Sequence, residues 1–108
     1  MISKEELYKI VVNRYGITMQ LIVAIEECSE LTKELTKILR GVMSKNKNVI
    51  RPVTEEIADV LIMCEQLQYI FDNRMFVQSE MSKKLIRLRD RLGITDEIEG
   101  VNPNNHFI

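Results

Sequence analysis

The chain has 108 residues, 45% of them apolar and 6% aromatic, with a formal net charge of −1. That length suits one domain over residues 1–108 with an aliphatic, Met-rich core, and the charge balance gives no global basic field for nucleic acid. The longest purely apolar run, Leu21 to Ile25, is far short of the roughly 20 residues that span a bilayer, and the charged start MISKEELYKIVV is no signal peptide, so the expected setting is the cytoplasm.

Ser3, followed three residues later by Glu6, fits a capping box that opens a helix over about residues 4–14. Gly16 ends it, and Thr18 can cap a second helix, about residues 19–40, closed by Gly41. The polar, basic connection VMSKNKNVIRP follows. A third helix begins after Pro52 or Thr54 and covers about residues 53–73; a fourth covers about 77–92 and stops at Gly93. The remainder, residues 93–108, lacks periodicity and is expected to be extended, with an apolar end suited to docking on a neighbour. No stretch alternates long enough to be a strand. The expected class is therefore all-α, a four-helix bundle-like fold whose two long helices pair as an antiparallel hairpin. Apolar stripes this long on a small bundle also point to an oligomer. Cys28 and Cys64 fall on those stripes and read as small core residues in a reducing compartment.

The acids are unevenly placed. At about 100° per residue, Leu21, Ala24, Ile25, Cys28, Leu31, Leu35 and Leu39 share one arc of the second helix. Glu27 lies at its edge, Glu30 and Glu34 continue that flank, and Glu26 points away. In the third helix Glu56 falls inside the arc of Ile57, Val60, Met63, Cys64, Leu67, Ile70 and Phe71. Asp59 lies just beyond the edge and Glu55 points outward. A carboxylate in an apolar sector is costly unless neutralised or paired, and facing acids raise one another's pKa. A divalent cation removes both problems, and oxygen ligands without His or Cys suit Mg²⁺ or Mn²⁺. Glu27 with Glu30, and Glu56 with Asp59, stand one turn apart and can each straddle a metal. The same residues also fit a plainer pattern: first-turn acids at a helix dipole, and i,i+3 pairs of Glu30 with Lys33 and Glu34 with Lys37. Pattern alone leaves the two readings open.

The fourth helix carries Met81, Leu85, Leu88 and Leu92 as its stripe, with Lys84, Arg87 and Arg91 down one flank and Lys83 one turn before Arg87. Beside a carboxylate–metal site such a row suits a polyphosphate; alone it is a solvated basic face. Arg40, Lys45, Lys47 and Arg51 add positive charge around the connection of helices two and three. Tyr15, Tyr69 and Phe71 can stack on a base or simply pack, and Gln20 can hydrogen-bond one. His106 stands alone and is not expected to be a ligand, which argues against a di-iron centre built on Glu-x-x-His.

EECSE, Glu26 to Glu30, with EIAD, Glu56 to Asp59, resembles the EExxE…ExxD signature of MazG-like nucleotide pyrophosphohydrolases. These belong to the all-α NTP pyrophosphatase superfamily, with dimeric dUTPases and phosphoribosyl-ATP pyrophosphohydrolases. The resemblance covers about residues 15–71 well and the fourth helix loosely. It implies a MazG-type fold and Mg²⁺-dependent cleavage of a nucleoside triphosphate between the α and β phosphates, of a house-cleaning kind. By motif position Glu27, Glu30, Glu56 and Asp59 would be the metal ligands. Glu26 and Glu55, the leading acids, would orient water or outer groups. Lys83 with Arg87, or the neighbouring Lys84, would meet the substrate, with Gln20 and Tyr15 near the base. The family's homodimers or dimers of dimers would be the assembly. Relatives often carry a Trp near the end of the first helix; this chain has none, and Tyr15 stands near that place. The dUTPase insertions are also lacking. Two alternatives stand beside this one: a non-catalytic helical oligomer that binds a partner or nucleotide, and an enzyme acting on phosphoribosyl-ATP.

Overall fold

The computed structural model describes residues 1–41 and 50–104. These form four helices and no strand: α1 (Lys4–Tyr15), α2 (Ile17–Leu39), α3 (Ile50–Phe71) and α4 (Arg74–Arg91). No helix among the described residues is long and apolar enough to cross a membrane. Lys45, Lys47, His106 and the apolar end of the tail lie outside the described residues.

The local signals act where the residue types predict. The Ser3 hydroxyl accepts from the Glu6 amide at 3.0 Å and caps α1. Gly16 alone separates α1 from α2, at φ +86° and ψ 157°, a conformation that side chains disfavour. Its amide closes α1 on the Val12 carbonyl, and its carbonyl accepts from Gln20 to open α2. Helix α2 therefore begins ahead of Thr18, which plays no capping role. Helix α3 also starts earlier than expected, at Ile50. This leaves Pro52 within the first turn, where its missing N–H costs no helical bond.

The chain divides into two units, Met1–Phe71 and Asp72–Ile108. In the first, α2 packs along α3 and α1 rests on both. Glu27 meets Asp59 while Glu30 and Glu34 reach Glu56, so α3 descends as α2 rises and the pair is antiparallel. Tyr8, Ala24 and Met63 are the buried apolar side chains, joined by the buried amides of Gln20 and Gln66. The Lys4 ammonium donates to both oxygens of Glu65 at 2.9 Å, and the Tyr8 hydroxyl donates to the same carboxylate at 3.2 Å. These contacts clasp α1 onto α3.

In the second unit, Gly93, at φ +71°, turns the chain out of α4. The Gly93 amide meets the Asp90 carbonyl and the Ile94 amide the Arg89 carbonyl, a Schellman ending. Arg89 then holds the carbonyl of Asp96 at 3.2 Å.

One expectation fails clearly. The apolar arc of α2 is only partly the face it turns to α3: Ala24 and Leu31 enter the seam, and the rest of the arc does not. Gln20, Ala24, Glu27, Leu31 and Glu34 fill the seam, and Ile25, Leu35 and Leu39 stay exposed. Likewise on α3, Ile57, Leu61 and Phe71 are exposed. Cys28 and Cys64, expected in the core, are exposed on these same sectors. The arc and the seam differ by roughly a quarter turn, so the hydrophobic pattern is centred on a different sector from the one α2 and α3 turn to each other.

Candidate metal centre

The antiparallel register brings the two acid pairs to one level of the hairpin. Glu27, Glu56 and Asp59 each offer a carboxylate oxygen within 4.8 Å of the others. Glu27 and Glu56 are half-buried and Asp59 is exposed, so the cluster sits in the seam and opens to solvent on the Asp59 side. One oxygen of Glu56, Oε2, is buried with no hydrogen-bond partner. An orphaned buried acceptor of this kind needs a cation, a proton or a donor to be tolerated.

The electrostatics agree with crowding. Glu27 is pushed above the usual carboxylate range, first by removal from water. The charge of Asp59, a hydrogen bond with Asp59, and the charges of Glu56 and Glu30 add to the shift. Two carboxyl groups can share such a bond only when one of them is protonated. Glu56 is raised too, again first by removal from water, then by the charges of Asp59, Glu30, Glu34 and Glu55. The cluster carries more acid than its surroundings neutralise.

The donor set fits a hard divalent cation. It is all carboxylate oxygen, with no thiol or imidazole. Glu27, Glu56 and Asp59 would hold such a cation through carboxylate oxygens that already lie within 4.8 Å of one another.

The other expected residues fall in several places. Glu30 is exposed and stands outside the tight trio, though its charge acts on both Glu27 and Glu56. Glu26 is exposed. Glu55 is exposed and paired with Arg51 at 3.4 Å. Gln20 is buried and Tyr15 is exposed on the last turn of α1. Lys83, Lys84 and Arg87 are exposed on α4, with Lys83 paired to Glu80 at 3.3 Å.

Two residues matter more than periodicity suggested. Glu34 is well covered, ion-paired to Lys37 at 3.2 Å, and its charge bears on Glu56. Gln66 is buried in the seam with its Oε1 unpartnered. The signal for Gln66 lay in the register: pairing Glu27 with Asp59 and Glu30 with Glu56 in antiparallel order carries Gln20 opposite Gln66. No family model, curated protein or solved structure matches the chain.

Proposed function

We propose that the protein is a MazG-like nucleoside triphosphate pyrophosphohydrolase, dependent on Mg²⁺ or Mn²⁺, that cleaves between the α and β phosphates to release a nucleoside monophosphate and pyrophosphate. One observation carries this reading: three carboxylates from two helices converge within 4.8 Å in a half-buried seam, one with an orphaned oxygen. A solvated acidic face would spread such charges apart. Here the fold holds them together against their own repulsion.

Glu27, Glu56 and Asp59 would hold the cation, with Glu30 completing the set. The bound cation supplies charge neutralisation for the triphosphate and acidifies water at the site. Glu26 and Glu55, exposed beside the cluster on their helices, orient water at its solvent side. Asp59 lies at the open side of the cluster, where a phosphate would arrive. Lys83, Lys84 and Arg87 are suited to the departing pyrophosphate, because cationic donors stabilise charge that grows on a leaving group. Gln20 and Tyr15 are the candidates for the base. The active form is a homodimer or a dimer of dimers.

The test is a panel of NTPs and dNTPs with Mg²⁺, with products separated by ion exchange. Monophosphate and pyrophosphate are expected. Orthophosphate and diphosphate as the products would overturn the bond assignment. Absence of Mg²⁺ and Mn²⁺ uptake in calorimetry, with and without nucleotide, would favour the non-catalytic oligomer instead.

A further inference from the structure

Two buried carboxamides share one level of the α2/α3 seam: Gln20, 5% exposed, and Gln66, 7% exposed. Each stands two helical turns, roughly 10 Å, from an acid of the cluster, Gln20 from Glu27 and Gln66 from Asp59. The Oε1 of Gln66 is buried and without a partner. The amide opposite it in the helix register is that of Gln20, which carries two N–H donors and can present them by turning about its last side-chain bond.

The seam repeats one order on both helices. Up α2 it runs Gln20, Ala24, Glu27; down α3 it runs Gln66, Met63, Asp59. Amide meets amide, apolar meets apolar and acid meets acid. A slip of one turn spoils this in either sense. Gln66 comes against Ala24 and Glu27 against Met63, or Gln20 comes against Met63 and Ala24 against Asp59. A buried amide set against an apolar side chain loses its partner, a larger penalty than the apolar contact offsets. Ala24 and Met63, with half-buried Leu31, form a small apolar contact that discriminates weakly between registers.

We infer that Gln20 and Gln66 are positioning residues: their carboxamides hydrogen-bond across the seam and fix the register that brings Glu27, Glu56 and Asp59 within reach of one cation. A single buried amide fixes the register of a coiled coil in the same way, at some expense of stability. Here the need is greater, because the acids repel one another and cannot hold themselves in step. The amides supply the alignment from two turns away and add no charge to the site. The positioning role rests on the cluster being the metal centre proposed above; the pairing of the amides does not. A register role and a contact with a base are separate demands on Gln20, and experiment tells them apart.

A double-mutant cycle tests the pair. Gln20→Leu and Gln66→Leu, made singly, each strand the other amide and should lower the urea midpoint. The double variant should recover the wild-type midpoint or exceed it. Its Mn²⁺ affinity in calorimetry should nonetheless fall by about tenfold or more, because the acids are no longer held in one register. The nuclear Overhauser contact between the Ala24 and Met63 methyl groups should weaken in the same protein. Side chains with only a packing role would change stability and leave these last two readings alone. Additive losses in the cycle, or a double variant that keeps both the methyl contact and the Mn²⁺ affinity, would overturn the assignment. So would a Gln20→Leu protein whose KM rises for one nucleotide at unchanged Mn²⁺ affinity and methyl contact, since Gln20 would then meet the base. If the double variant does not fold, the wild type decides. The side-chain N–H protons of Gln20 and Gln66 should exchange slowly with water and show contacts to each other, and rapid exchange would sink the pair. A wild type that takes up no Mn²⁺ would remove the proposed metal centre and the positioning role with it, while the cycle still decides the pairing.

Discussion

The two faces of the α2/α3 hairpin invert the usual rule. The seam between the helices holds Glu27, Glu34, Glu56, Gln20 and Gln66 beside Ala24, Leu31 and Met63, and the face about a quarter turn away exposes Ile, Leu and Cys. The difference separates two features of the same helices: the seam gathers carboxylates, and the neighbouring sector gathers exposed apolar side chains. Stability of the protomer comes from the little that remains, chiefly Tyr8, Ala24 and Met63.

The largest expected break in this comparison is on the acid side. Asp59→Asn should lower hydrolysis by about 100-fold or more while leaving the helical content unchanged. A variant that keeps the full rate would remove Asp59 from the proposed metal site. Next comes packing. Met63→Ala, at a buried seam position, should cost about 2–4 kcal/mol in urea unfolding. Leu61→Ala, on the exposed face, should cost less than about 1 kcal/mol. Equal losses in dilute protein would mean that the two faces are equally buried.

A smaller effect, of a few degrees, tests the crowded acids. The folded-state pKa values of Glu27 and Glu56 lie above their unfolded values. Protonation therefore favours the fold. That contribution is fully present below the ordinary carboxylate range and is lost as pH rises through the raised values. In chelator, the wild type should lose melting temperature relative to Glu56→Gln as pH climbs toward neutral, and the gap should close at acidic pH. Mg²⁺ should restore the wild type and not the variant. A gap independent of pH would show that repulsion among these acids is not its source. The smallest change is Lys4→Ala. The ion pair to Glu65 is largely exposed, so chemical denaturation should register less than about 1 kcal/mol.

Much of this was legible in the residues. Ser3 and Gly16 marked helix ends, and the acid pairs at i,i+3 marked Glu27, Glu56 and Asp59. The direction of burial was not. A hydrophobic stripe records which surface is to be covered, but not whether the cover is the neighbouring helix or another molecule. Ile25, Cys28, Leu35 and Cys64 were assigned to the core for that reason. Gln20 and Gln66 were hidden for the converse reason: a polar side chain inside a seam has no periodic signature, and only the helix register places it there. The early start of α3 came from Pro52, which reads as a boundary although the first turn accepts it.

The clasp of α1 has a consequence for how the chain opens. This helix is joined to α2 by Gly16 alone and fastened to α3 through Tyr8, Lys4 and Glu65. Releasing it exposes Tyr8 and the half-buried Val11 and Val12, a small apolar area beside that held between α2 and α3. The amides of α1 should therefore exchange with deuterium through a partial opening, well before those beside Ala24 and Met63.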